Sequence, residues 1–178
     1  MQAQTTLVPV GTVEEQEAAR GLILEYLRWI AGIAKTNYQL TFDIDAMVRS
    51  DIEDRAKFYP PHGRFYLLRH AGAWVGVGCL KRLSPEIGEL QRMYVQPAAR
   101  GIGAGRLLLN RLVDDARALG YRSLRLESLK VLATAHAMYR SAGFVETAPY
   151  AENSMRAYQA AEDLESFRAS TVFMELRL

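Results

Sequence analysis

The reading of this chain turns on Glu89-Leu90-Gln91-Arg92-Met93-Tyr94-Val95-Gln96-Pro97-Ala98-Ala99-Arg100-Gly101-Ile102-Gly103-Ala104-Gly105-Arg106. Its first half alternates enough to be a strand, and Pro97 ends that strand. Three alternating glycines follow, and then the strongest helical pattern in the chain, with Leu107, Leu108, Leu112, Val113, Ala116 and Leu119 expected inward and Gly120 as its stop. The first N–H groups of a helix have no partner within it, and glycines let a ligand approach the main chain. A strand, glycine loop and helix in this order therefore form an anion site suited to phosphate or pyrophosphate. The competing reading is a tight strand-to-helix turn with no ligand.

Upstream, Arg64 to Arg69 and Trp74 to Leu80 are apolar runs on either side of Ala71-Gly72, which predicts a hairpin. Ile87 to Val95 adds a third antiparallel strand after the turn at Ser84-Pro85. Leu7 to Val10 predicts a short strand. Thr12 then reads as the N-cap of an amphipathic helix to about Ala34, with Glu14 and Glu15 in its first turn. A weaker helix follows Asp45 and breaks at Pro60-Pro61. Downstream come a strand from Tyr121 to Leu126, a helix from Ala133 to Ser141 ended by Gly143, and a final strand from Thr171 to Leu178. Between them, Glu146 to Ser166 holds five acids against one Arg without a clear period, and only Ala157 to Leu164 has helical propensity. No repeat or linker divides the chain, so the expectation is one mixed α/β domain over residues 1–178. Residues 1–61 form a helical segment, 64–145 the core, and 146–178 an acidic segment with the last strand.

Composition excludes more than it assigns. The 178 residues carry 22 Lys+Arg against 20 Asp+Glu, are 49% hydrophobic and contain one cysteine, Cys79. That balance excludes disorder, a disulfide framework and a cysteine zinc cluster, and three scattered histidines make no metal site. No run approaches the roughly 18 apolar residues of a membrane span. The first residues lack the basic-then-apolar order of a signal peptide, so the expected location is cytoplasmic. Charge is unevenly placed: Gln91 to Arg125 has seven Arg and two Asp, or +5 of a net +2. No stacking aromatics interleave these arginines, which argues against nucleic acid and for a polyphosphate.

Two common phosphate loops do not fit. A P-loop needs Lys-Ser/Thr after its last glycine, and Arg106 follows Gly105. A dinucleotide fingerprint would put a small residue where Arg106 stands, although Glu127 superficially matches its ribose acid. The stretch instead resembles the GNAT superfamily of acyl-CoA-dependent N-acetyltransferases. Its Arg/Gln-x-x-Gly-x-Gly/Ala signature appears as Arg100-Gly101-Ile102-Gly103-Ala104-Gly105, preceded by Met93-Tyr94-Val95 and Pro97. A second family element, Ala-x-x-x-Tyr-x-x-x-Gly-Phe, appears as Ala135 to Phe144 around Tyr139.

The resemblance implies a central, mostly antiparallel sheet splayed at the cofactor site and flanked by helices. It implies acetyl-CoA as cofactor, with no metal. Met93, Tyr94 and Val95 would bind the pantetheine arm as an extra strand, and Arg100, Gly101, Ile102, Gly103, Ala104, Gly105 and Arg106 would hold the pyrophosphate. It implies Tyr139 as the acid that protonates the leaving thiolate, against a merely core-packed tyrosine. Glu89, on the same face as Met93 by strand parity, matches the family's glutamate base, against a solvent-facing acid or a charge anchor. The oxyanion would meet the Val95 N–H. Leu132 stands where many members carry an asparagine that contacts the cofactor, and a thiol route through Cys79 lacks a neighbouring histidine. The implied function is acetyl transfer from acetyl-CoA to a primary amine of a small molecule or protein, by direct attack in a ternary complex. The alternative is a non-catalytic CoA-binding module. Asp43, Asp45, Asp51, Glu53 and Asp54, with the acidic segment and Tyr150, suggest a cationic acceptor, against ordinary solvated surfaces. A homodimer stays among the options.

Overall fold

The computed structural model describes residues 4–151, 155, 158 and 163–178. A seven-stranded sheet forms its centre, in the order β1 (Thr5–Pro9), β2 (Arg64–His70), β3 (Ala73–Ser84), β4 (Ile87–Val95), β5 (Ser123–Leu129), β7 (Thr171–Arg177) and β6 (Val145–Thr147). Every pairing is antiparallel except β4 with β5, whose parallel ladder covers only Ile87–Glu89 against Ser123–Arg125. Beyond it the two strands separate, and the facing backbone edges of β4 and β5 have no strand between them.

Helices α1 (Val13–Tyr38) and α2 (Ile44–Glu53) cover one face of the sheet. Leu22, Ile23 and Leu27 of α1 and Met47 and Ile52 of α2 pack there on Phe65, Leu67, Val77 and Cys79. Helix α3 (Ala104–Ala118) covers the other face, where Leu108, Leu109 and Leu112 meet Tyr66, Leu80, Leu90 and Leu124. The α3 stripe differs from the expected one by one position: Leu107 is 40% exposed and Leu109 is fully buried. Helix α4 (Ala133–Ser141) brings Tyr139 into the same core, and α5 (Leu164–Ser170) brings Phe167 against Phe173 of β7.

The helix starts follow their local chemistry. Thr12 Oγ1 accepts from the Glu15 N–H at 3.2 Å and Glu15 Oε2 accepts from the Thr12 N–H at 2.8 Å, a reciprocal cap. The Thr12 N–H, with that of Gly11, also holds the Glu15 carboxyl below its ordinary value. Helix α1 runs four residues past Ala34 because no breaker intervenes, and it ends where Gln39 takes a left-handed φ of 57°. The short β6 and α5 carry too little periodicity to be read from sequence. The helix expected over residues 157–164 falls largely outside the described residues. No described helix is long and apolar enough to cross a membrane.

Candidate active site

The separation of β4 from β5 opens a cavity of about 700 Å³, bordered by both strands, by α1 and α2 on one side and by the N-terminus of α3 and α4 on the other. Its shape begins at a backbone irregularity. Val77 pairs with Tyr94 while Cys79 pairs with Gln91, so β4 carries a bulge, and Arg92 in it adopts φ 54°. The extra residue reverses the alternation. Glu89, Gln91 and Tyr94 face α1 and α2, whereas Leu90, Met93 and Val95 face α3.

This corrects the expected pairing of Glu89 with Met93 on one face. Glu89 is fully buried, accepts a hydrogen bond from the Gln91 side-chain amide, and does not line the cavity. The acid that does is Glu127 on β5, the only one in the lining among the described residues. Both its carboxylate oxygens are withdrawn from solvent. Burial first, and then the charge of Glu89, push its carboxyl well above the usual range, against the opposing pull of Arg92 and of the nearby Met155 backbone. From the sequence, Glu127 is only a superficial match to the ribose acid of another fold. The available signal was an acid between Leu126 and Leu129 on an otherwise apolar strand.

Arg92 is itself buried and bound to Asp51 of α2, with Nε 2.5 Å from Oδ2 and Nη2 3.3 Å from Oδ1. Lys57 Nζ lies 2.5 Å from Asp51 Oδ1, so one carboxylate holds two cations. Asp51 is therefore neutralised within the core and is no acidic wall. Asp43 caps α2 by accepting from the Ala46 N–H at 3.0 Å, and Asp45, Glu53 and Asp54 are exposed. None of the five acids borders the cavity.

On the opposite side, a single 3₁₀ turn, Pro97–Ala99, leads into Gly101 and Gly103, with φ of 80° and 82°, where any other residue would be strained. Among the described residues, no backbone hydrogen bond is donated by residues 101–106, and the first of α3 runs from the Leu107 N–H to the Gly103 carbonyl at 3.0 Å. No acid occupies the first turn and no side chain caps it. A row of open donors at the positive end of a helix thus faces the cavity. Gly101, Gly103, Ala104, Gly105, Arg100 and Arg106 line it, and Ile102 does not, being 48% exposed. These donors, together with the unpaired edges of β4 and β5, fit a pyrophosphate carried on an extended amide-bearing arm.

The arginine excess is largely spent elsewhere. Arg111 pairs with Asp115 at 3.0 Å, Arg117 with Asp114 at 3.3 Å, Arg122 with Glu86 at 3.4 Å and Arg125 with Glu175 at 2.7 Å. Only Arg100 and Arg106 remain at the loop. Arg100 donates to the Val95 carbonyl at 2.9 Å and lies over the Trp29 ring, and Arg106 donates to Ser141 Oγ at 2.6 Å.

Met93 and Val95 border the cavity from the α3 side, as the cofactor reading requires. Tyr94 borders it from the other: its hydroxyl donates to Glu25 Oε1 at 2.7 Å, its ring meets Tyr26 and Trp29, and desolvation with the Glu25 carboxylate pushes its phenol up to about 12. Tyr139 lines the cavity from α4, packed on Phe144. Its hydroxyl has no hydrogen bond among the described residues, and burial, with Tyr26 nearby, holds its proton tightly. Cys79 is fully buried outside the cavity, with its thiol pushed well up by desolvation. A carboxyl of raised proton affinity, a neutral phenol and a helix-start anion site therefore converge on one cleft. Among the described residues no cluster of metal-ligating side chains is present.

The profile of the Acetyltransferase (GNAT) family matches residues 30–144. An IAA acetyltransferase of Azospirillum brasilense is 35% identical over 137 residues, which cover 76% of this chain and 82% of that protein. An acetyltransferase structure from Streptococcus agalactiae superposes with a TM-score of 0.72 at 15% identity over 98% of both chains. The PaiA N-acetyltransferase of Thermoplasma acidophilum, solved in complex with coenzyme A, superposes with a TM-score of 0.68 at 17% identity over 98% of this chain and 99% of that one. At those identities the two structures speak for the fold alone. The profile spans well over half of the chain and includes β4, the glycine loop and Tyr139, and on that ground the protein belongs to the Acetyltransferase (GNAT) family.

Proposed function

We propose that the protein transfers an acetyl group from acetyl-CoA to a primary amine, of a small molecule or of a protein, by direct attack within a ternary complex. The observation that carries this reading is the convergence of Glu127, Tyr139 and the open N–H row of residues 101–106 on one cavity. Those N–H groups, with Arg100 and Arg106, would hold the pyrophosphate, and the β4 edge from Met93 to Val95 would pair with the arm. Bound acetyl-CoA supplies a thioester, at which a C–N bond forms and a C–S bond breaks while the amine gives up one proton and the sulfur gains one.

The residues supply the two proton positions. An alkyl ammonium has a pKa of about 10.4 in water, so a nearby acceptor must take its proton before nitrogen can attack. Glu127 is suited to this because burial and Glu89 raise its affinity for a proton toward that of the amine. Glu89 acts from behind the wall, through its charge. Tyr139 keeps its proton at neutral pH and can give it to sulfur at its hydroxyl oxygen, regaining one from Glu127 or solvent. The Val95 N–H, where β4 ends, is suited to the developing oxyanion.

A thiol-release assay with acetyl-CoA and a panel of amines, run beside a thermal shift with CoA, tests the reading. CoA should raise the melting temperature and at least one amine should be turned over. A shift without turnover on any amine would leave a non-catalytic CoA-binding module, and the absence of a shift would remove the cofactor assignment.

A further inference from the structure

Arg100 opens the glycine loop, but its side chain is steered from the other side of the cavity. Its Nε–H donates to the Val95 carbonyl at 2.9 Å, and its guanidinium carbon lies 5.4 Å from the centroid of the Trp29 ring on α1. The first contact uses one donor and sets the direction of the side chain. The second sets the guanidinium over the indole face. Nη1 and Nη2 make no hydrogen bond among the described residues, and Arg100 and Trp29 both line the cavity. The indole is itself anchored. Its centroid lies 6.1 Å from that of Tyr94 and 6.3 Å from that of Tyr26. Glu25, one turn earlier on α1, accepts from the Tyr94 hydroxyl at 2.7 Å and from the Gln96 side-chain amide at 2.9 Å. One turn of α1 thus grips the end of β4 where the loop departs. Trp29 is nevertheless 40% exposed, so core burial alone does not account for an indole at this position.

We infer that Trp29 is a positioning residue for the cofactor: its ring holds the Arg100 guanidinium at the cavity with the Nη edge free for the pyrophosphate, so that α1 helps to set the affinity for CoA. This rests on the reading of the loop as the CoA site and deepens it. A free arginine side chain loses rotamer freedom when it meets a phosphate, whereas one already stacked and hydrogen-bonded has lost much of it beforehand. The indole is the best aromatic face for a guanidinium, and an exposed contact of this kind corresponds to about a twofold to fivefold change in affinity.

Calorimetric titration with CoA on the wild type, Trp29→Leu, Arg100→Met and the double variant tests this. Trp29→Leu should weaken CoA by about twofold to fivefold and Arg100→Met by more. In the Arg100→Met background, Trp29→Leu should change nothing further, because the indole acts through the guanidinium. Trp29→Phe keeps a ring face and should bind CoA more tightly than Trp29→Leu. Dephospho-CoA, which retains the pyrophosphate and lacks the 3′-phosphate, should lose the same factor as CoA. Each variant is first melted without ligand, and Trp29→Gln replaces Trp29→Leu if the latter unfolds below the assay temperature. Equal losses from Trp29→Leu in both backgrounds would mean that the indole packs or meets CoA directly, and would overturn the inference. Full affinity in Trp29→Leu or in Arg100→Met would do the same, and a loss seen with CoA but not with dephospho-CoA would place Arg100 on the wrong phosphate. A wild type that binds no CoA would defeat the cofactor reading itself.

Discussion

The guanidinium of Arg92 and the carboxylate of Asp51, 41 positions apart in the chain, meet at 2.5 Å between Nε and Oδ2, with Asp51 wholly buried and Arg92 nearly so. The contact ties the bulge of β4 to α2. It stabilises a left-handed conformation that an arginine rarely adopts, and it keeps Arg92 beside Glu127. The face reversal that puts Met93 toward α3 and Glu89 toward α2 depends on that bulge.

Asp51→Ala should therefore destabilise the fold by roughly 3–5 kcal/mol, since it leaves Lys57 and Arg92 as buried cations without a counter-ion. Urea denaturation followed by circular dichroism measures this. A loss under about 1 kcal/mol, the worth of an exposed pair, would mean that the two cations reach solvent.

Tyr139→Phe removes one oxygen from a packed ring and should leave the fold and the CoA thermal shift intact. The rate of thiol release should fall by about 10²-fold, the lower end for loss of a general acid. Equal rates for the two proteins would relegate the tyrosine to packing on Phe144.

Glu127→Gln should lower the rate and also change how stability depends on pH. Burial raises the folded carboxyl above its unfolded value of about 4.3, so the native state binds more protons than the unfolded one across the interval between the two. The wild type accordingly loses stability as pH rises from about 4.3 through the raised value. Glu127→Gln lacks that loss and should become the more stable of the two as the pH is raised, while the rising acid limb of the wild-type rate profile disappears. Parallel stability curves from pH 4 to pH 8 would show that the carboxyl is not perturbed.

Gly103→Ala places a side chain on a backbone at φ 82°, where the added carbon meets no atom within 4 Å. Strain alone is at issue, about 1–2 kcal/mol. The loop should relax away from its present geometry, and the KM for acetyl-CoA should rise several-fold with a smaller change in kcat. An unchanged KM would argue that the 101–106 donors do not face the pyrophosphate.

Cys79→Ala should keep activity within about twofold, and native protein should resist thiol alkylation, because the thiol is buried, held protonated and outside the cleft. An acetylated Cys79 found by mass spectrometry after incubation with acetyl-CoA alone would defeat direct attack.

The parts of the site that could be read from the chain are those built by neighbours in sequence. Arg100 to Arg106 shape their own turn and expose their own N–H groups, and Tyr139 sits at a fixed spacing before Gly143 and Phe144 on one short helix. Strand parity puts Glu89 on the wrong face for a specific reason: it holds only without an inserted residue, and a positive φ at Arg92 has no mark in the sequence. Glu127 escapes a reading of the chain because its character comes from burial in the closed fold and from the charge of Glu89 on another strand.

By itself the sequence determined the order of the longer elements, the glycine loop and the helix that begins on it, since caps, turns and amphipathic periods are local and their energies lie within a few residues of chain. Only the tertiary structure decided which acid faces the cleft and which arginines remain for a ligand. Those properties depend on desolvation and on ion pairs between segments as distant as Asp51 and Arg92, and such interactions exist only once the chain has closed around them.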